Sequence, residues 1–216
     1  RGGIQRSNFS ETSESLFLTS GFVYKTAEEA EKSFKEEKER FMYSRFGNPT
    51  VDTFQKRMAL LEGAEACWAT SSGMSALFTI LMSYLKKGDR VVSSRALFGS
   101  CHFVITEILP RFGIEIKLVD GTNINQWESA LKKKTKIVFF ETPSNPCLEI
   151  VDIKNVSKLA HKSGAKVVVD NVFATPILQR PLEFGADIIM YSATKHIDGQ
   201  GRVLGGTILS DEKFCK

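Results

Sequence analysis

Short runs of β-branched and aromatic residues, each separated from the next by a stretch with helical spacing, constrain this chain more than any other feature. Lys166–Asp170 reads K-V-V-V-D. Arg90–Ser94, Ile114–Val119, Lys136–Glu141 and Asp187–Tyr191 are similar apolar runs of strand length. Ala66–Thr70 and Gly206–Ser210 read as further strands. Between them lie segments with helical periodicity: Ala76–Leu85, Gly99–Phe112 with a break near Pro110, Gln126–Lys133, and Ile153–Ser163 closed by Gly164. Strands that alternate with helices pair in parallel and are covered on both faces, so the expected fold is α/β with a mostly parallel sheet.

Ligands of such sheets bind beyond the carboxyl ends of the strands. Ser72, Asn145, Asp170 and Lys195 all follow predicted strand ends. Ser71-Ser72-Gly73-Met74-Ser75 links a strand to an apolar helix. That arrangement suits a phosphate at a helix N-terminus, and it also suits an ordinary tight connection. It is not a Walker A sequence, and G-x-G-x-x-G is absent. Asp170 ends a continuous apolar run, where an unpaired carboxylate is costly. A buried cation such as the pyridinium nitrogen of pyridoxal phosphate would justify it; a helix cap or a local Asx turn would too. Lys195 sits among Ser192, Thr194 and His196, ahead of Gly199, Gly201, Gly205 and Gly206. It can hold an aldehyde as a Schiff base beside hydroxyls that bind a phosphate, or it can be a solvated loop lysine.

The N-terminal part is different. Residues Arg1–Gly21 are polar and irregular, and read as an arm. Thr26-Ala27-Glu28-Glu29 has capping-box spacing before a helix. Asn48-Pro49 stops any earlier helix, and Thr50 is expected to cap the next, with Val51, Phe54, Met58 and Leu61 as its apolar face and Gly63 at its end. Tyr43-x-Arg45 in the preceding loop can grip an anion or form a surface ion pair. The division expected is an arm and interface segment at 1–50 and a large domain at 51–216.

With 216 residues and 42% apolar content the chain can bury one sizeable core. Its net charge of +4 is mild. Lys132–Lys134 lacks interleaved aromatics and reads as a solvated helix end, so no nucleic-acid partner is expected. Cys67, Cys101, Cys147 and Cys215 are dispersed, which favours buried thiols in a reducing compartment and no metal site. No run reaches membrane-spanning length and no signal peptide is apparent, so a cytoplasmic protein without a membrane partner is expected. The start without Met and the stop just after a strand look like cuts at both ends.

Five motifs then occur in one order: Y-S-R-F-G-N-P-T from Tyr43, T-S-S-G-M-S-A from Thr70, E-T-P-S-N-P from Glu141, V-V-V-D-N around Asp170 and S-A-T-K-H around Lys195. Together they resemble the Cys/Met-metabolism family of pyridoxal-phosphate (PLP) enzymes, over nearly the whole chain from about Gly21. The resemblance implies an aminotransferase-like (fold type I) large domain whose C-terminal small domain is missing. It implies that Lys195 binds the cofactor covalently and then moves protons, and that Asp170 keeps the ring nitrogen protonated. Ser72, the Gly73 and Met74 amides, and the Ser192 and Thr194 hydroxyls would surround the phosphate. Tyr43 and Arg45 would reach a neighbouring subunit's phosphate, making a homodimer necessary and a tetramer expected. Asn145 would lie near the 3′-oxygen and the substrate carboxylate.

Many lyases of that family carry tyrosine where this chain has Phe98, in Ala96-Leu97-Phe98-Gly99. Phenylalanine keeps ring stacking and loses the phenol. With H-I-D-G-Q-G-R-V-L-G-G after the lysine, this looks most like the O-succinylhomoserine sulfhydrylase branch. The implied reaction is γ-replacement of an amino-acid ester by sulfide, in methionine biosynthesis and transsulfuration. A methionine or cystathionine γ-lyase, a cystathionine γ-synthase, and an inactive PLP-binding fragment are the alternatives.

Overall fold

A computed structural model describes residues 2–215, so Arg1 of the expected arm and Lys216 of the expected large domain lie outside the described residues. The chain divides into two compact units, one ending at Met58 and one beginning at Ala59.

In the first unit, Gly21 and Tyr43 form an isolated antiparallel bridge. Helix α1 (Ala27–Phe34) is capped by Thr26, whose side chain accepts the Glu29 N–H. Glu29 closes the other half of the box one residue early, accepting the Lys25 N–H at 2.7 Å. Helix α2 (Pro49–Glu62), which begins in this unit and ends in the second, corrects the expected cap. Asn48, not Thr50, caps it: its Oδ1 accepts the Thr50 N–H at 2.8 Å. The Thr50 hydroxyl is occupied by the Phe17 N–H at 2.9 Å. Pro49, which lacks an N–H to satisfy, fits the first helical position. The expected apolar face of α2 also differs: Met58 is buried, but Val51 and Leu61 are exposed, while Thr53 and Glu62 are buried. Burial there follows the face that is packed, and the Glu62 carboxylate is tolerated because a tyrosine hydroxyl meets it (below).

The second unit is built on seven strands: β1 (Ala66–Thr70), β2 (Arg90–Ser94), β3 (Glu115–Val119), β4 (Ile137–Glu141), β5 (Lys166–Asp170), β6 (Ile188–Ser192) and β7 (Gly206–Ser210). Their order is β1-β7-β6-β5-β4-β2-β3. β3, β2, β4, β5 and β6 are mutually parallel, and β7 runs antiparallel to both β6 and β1. β1 and β6 therefore point the same way, and the C-terminal ends of β1, β2, β4, β5 and β6 share one edge.

Strand residues alternate between two cores. Ile137 and Phe139 of β4 face α3 (Gly73–Tyr84), packing with Leu77, Ile80 and Leu81. Val138 and Phe140 face the opposite layer with Trp127, Val156 and Ala160. Trp127 and Val156 belong to α5 (Ile124–Ala130) and α6 (Ile153–Lys162), and the Trp127 indole N–H donates to the Gly121 carbonyl at 3.0 Å. Both faces are covered, as the near-continuous apolar strands require.

The expected helix at Gly99–Phe112 is helical throughout but changes pitch. An α-helical turn, α4 (Gly99–Phe103), passes into a π-helical turn at Val104–Ile108 and a 3₁₀ turn at Leu109–Phe112, which accommodates Pro110. The strand expected at Asp187–Tyr191 is displaced by one residue. Asp187 stays outside it because its carboxylate accepts the Val167 N–H and the Lys166 Nζ, each at 2.8 Å. Of the four cysteines expected to be buried, Cys67, Cys101 and Cys215 are; Cys147, in the loop after β4, is exposed.

Candidate active site

The candidate anion-binding corner forms where β1 turns into α3. Ser72 is extended, and its Oγ accepts the Ser75 N–H at 3.1 Å while its carbonyl accepts the Ala76 N–H at 3.0 Å. The amides of Gly73 and Met74 are thereby left as the donors at this helix end, where the dipole is positive. Gly73 has no room for a side chain: a Cβ there would lie 2.6 Å from Ser192 Cβ and 2.8 Å from Ser192 Cα. Gly206 packs as closely from the other side, its Cβ position lying 2.2 Å from the Ser72 carbonyl oxygen. Both glycines let the helix end seat directly on the ends of β6 and β7. Ser72, Gly73 and Met74 are thus brought to Ser192, and Thr194 follows two residues on, where its Oγ1 accepts the Gly205 N–H at 3.1 Å.

This close seating makes Gly73 a sensitive position. Gly73→Ala is expected to destabilise the protein by about 1–3 kcal/mol, because both obstructing atoms belong to a strand end that cannot yield cheaply. It should also weaken binding of a phosphate ester at least about tenfold. Thermal unfolding and an absorbance titration with PLP check the two effects; a variant unchanged in both would show that the helix end moves freely.

Lys195 lies in the turn after β6, its N–H donating to the Ser192 carbonyl at 3.2 Å and its own carbonyl accepting the Gly199 N–H at 2.8 Å. Its side chain is exposed, and no hydrogen bond or ion pair engages Nζ among the described residues.

Asp170, at the end of β5, is 4% exposed. Its Oδ1 accepts the Val172 N–H at 3.1 Å, so the local turn weighed from the sequence is present. No cation pairs with this carboxylate among the described residues. Burial, with a further push from the Glu141 charge and against the Val172 N–H, raises its pKa from 3.8 to about 7. A buried acid in that condition accommodates an incoming N–H⁺ group, and a helix N-terminus suited to a phosphate stands on the same sheet edge. The chain's own residues therefore fit pyridoxal phosphate.

Phe98 precedes α4 and is half exposed, and its backbone N–H donates to Glu141 Oε2 at 2.8 Å. Asn145 is partly buried in the loop after β4. Tyr43 and Arg45 belong to the first unit, where the Arg45 guanidinium lies over the rings of Tyr43 and Phe46 at 5.1 and 5.2 Å. The structure therefore gathers the second-unit candidates on one edge and leaves these two in the other unit.

Two groups were not singled out from the sequence. Glu141 is one; it pairs in register with Asp170. The other is a buried chain of hydrogen bonds behind the edge. The Tyr191 hydroxyl donates to Glu62 Oε2 at 2.6 Å and accepts from Asn171 Nδ2 at 2.5 Å. Gln179 Nε2 then bridges Asn171 Oδ1 at 2.8 Å and the Thr142 carbonyl at 2.9 Å. Burial raises the Glu62 carboxyl to about 7. No local signal marks this chain, since Tyr191 and Glu62 stand far apart in sequence.

The fold and this edge define the class. They are those of a PLP-dependent enzyme of aminotransferase-like architecture. A crystal structure from Campylobacter jejuni that carries N′-pyridoxyl-lysine-5′-monophosphate superposes with a TM-score of 0.92 at 30% identity, over 99% of this chain and 53% of that one. More narrowly, the chain belongs to the Cys/Met metabolism PLP-dependent enzyme family, whose profile matches residues 1–216. It is 58% identical over 214 residues to an O-succinylhomoserine sulfhydrylase of Mycobacterium tuberculosis, covering 99% of this chain and 53% of that protein. It is 42% identical over 201 residues to an L-methionine gamma-lyase of Fusobacterium nucleatum, covering 93% and 51%. The chain spans about half the length of the relatives it matches. Among the described residues, no helix is long and apolar enough to cross a membrane.

Proposed function

We propose that the whole protein, a cytoplasmic enzyme of methionine biosynthesis, converts O-succinylhomoserine and sulfide to homocysteine and succinate. The observation that carries this reading is Phe98, an aromatic ring without a phenol, tethered at the site edge by its N–H to Glu141. The 58% identity to a sulfhydrylase, against 42% to a lyase, points the same way.

Bound pyridoxal phosphate supplies an aldehyde for the substrate amine and a ring that draws electrons from Cα. The Gly73 and Met74 amides, the Ser192 and Thr194 hydroxyls and the Ser72 turn would hold its phosphate. Asp170 would keep a proton on the ring nitrogen, and Phe98 would pack against the bound cofactor. Asn145 would orient the 3′-oxygen and the substrate carboxylate. Lys195 Nζ takes the proton from substrate Cα and moves protons at Cβ. The ester oxygen then leaves Cγ as succinate, and hydrosulfide forms the new C–S bond there. Residues 1–50 serve as arm and interface segment, with Tyr43 and Arg45 completing the neighbour's site in a homodimer, itself paired into a tetramer.

The test uses full-length protein with O-succinylhomoserine, with and without sulfide, quantifying homocysteine and 2-oxobutyrate. Homocysteine formed only with sulfide, and in excess, is expected. Predominant 2-oxobutyrate in both would make the enzyme a γ-lyase. Phe98→Tyr, which restores a phenol, should raise the share of 2-oxobutyrate by roughly tenfold; an unchanged product ratio would remove Phe98 from the argument.

A further inference from the structure

Glu141 ends β4 in register with Asp170 at the end of β5, and is itself 4% exposed. Two buried carboxylates thus stand side by side on neighbouring strands, an arrangement that repulsion and desolvation both oppose. No salt bridge engages Glu141 among the described residues. Its Oε2 instead accepts the Phe98 N–H at 2.8 Å, and the Asn145 N–H also serves its carboxylate. One side chain therefore touches two of the candidate site residues and flanks a third. Burial raises its pKa while the two N–H groups oppose that rise. The costly acid needs a reason that packing does not supply.

We infer that Glu141 is a positioning residue with two tasks, resting on the assignment of Asp170 to the ring nitrogen. Its hydrogen bond anchors Phe98 over the cofactor ring. Its charge, beside Asp170, strengthens the hold of the pair on the ring N–H⁺. Asp170 alone faces a cation with one negative charge; the two carboxylates together keep the nitrogen protonated more firmly, which is the state in which the ring draws electrons.

The experiment measures dissociation constants of pyridoxal phosphate and of its 1-deaza analogue, in which the ring nitrogen is replaced by carbon. Full-length wild-type protein is compared with Glu141→Gln and Glu141→Ala. Glu141→Gln keeps an acceptor for Phe98 and removes the charge. It should weaken pyridoxal phosphate binding about tenfold and leave the deaza analogue within about twofold. Glu141→Ala, which also frees Phe98, should weaken both ligands. Equal weakening of both by Glu141→Gln, or of neither, overturns the electrostatic role; retention of both ligands by Glu141→Ala overturns the anchoring role. A Glu141→Gln protein that fails to fold overturns the proposal as well, because removing one of two repelling buried charges should leave the cofactor-free protein at least as stable. Failure of the underlying assignment looks different: wild-type protein would then bind neither ligand, or bind both with equal affinity.

Discussion

Lys195→Ala is expected to reduce turnover of the full-length enzyme by about 10³-fold or more, with the folded protein intact. The size follows from two tasks on one atom. Lys195 stands in the turn directly after β6, whose end carries the helix end of α3. In the proposed reaction its Nζ first binds the cofactor aldehyde and then moves the proton at Cα. Alanine removes both tasks. The fold should survive, because the side chain is exposed and the turn is held by backbone bonds from Lys195 to Ser192 and from Gly199 to Lys195. Borohydride reduction provides the second readout: it should fix the cofactor on the wild type and leave the variant unlabelled. Turnover near the wild-type rate would end the assignment.

Asp170→Asn should lower turnover by about 10²-fold or more, since a neutral amide cannot hold a charged ring nitrogen. The same substitution has a distinct effect on the cofactor-free protein. The folded carboxyl titrates near 7 and the unfolded one near 3.8. Between those values the folded chain holds a proton that the unfolded chain has released. Stability from this group is therefore full below the unfolded value and is lost as pH rises through the folded one. The difference corresponds to roughly 4 kcal/mol, an upper figure for a single buried acid. Glu62, raised to about 7 by burial, adds a loss of the same sign. Urea unfolding of cofactor-free protein at pH 5 and pH 8 should accordingly show wild type weaker at pH 8, with a smaller difference, the Glu62 share, left in Asp170→Asn. Equal slopes for the two proteins would mean that Asp170 is already paired in the cofactor-free state. Bound cofactor should reverse the trend, because a ring cation restores the ionised carboxylate.

The strand-end placement of Ser72, Asn145, Asp170 and Lys195 was legible because each follows a short apolar run, whereas their roles came with the family resemblance. Lys166–Asp170 is apolar until its last residue, and an acid at that place needs an explanation that the strand itself cannot give. Ser72-Gly73-Met74 follows a strand and opens a helix. Less legible were positions whose role depends on distant partners. Val51 and Leu61 look like a buried stripe and are exposed, while Glu62 looks like a surface residue and is buried against Tyr191. Thr50 looks like a cap, yet its hydroxyl is taken by Phe17 and Asn48 does the capping. Asp187 looks like a strand start, and its bonds to Val167 and Lys166 keep it out.

Taken alone, the amino-acid order determined the α/β class, the strand runs, and the residues at the strand ends, because period, β-branching and turn chemistry act over a few neighbours. Its motifs also carried the resemblance to the PLP family. Only the tertiary structure decided that Gly73 must lack a side chain, since Ser192, distant in sequence, lies directly against it. It alone set Glu141 beside Asp170 and linked Glu62 through Tyr191 and Asn171 to Gln179. These are contacts between residues far apart in the chain, and a buried acid's proton affinity depends on them rather than on its neighbours in sequence.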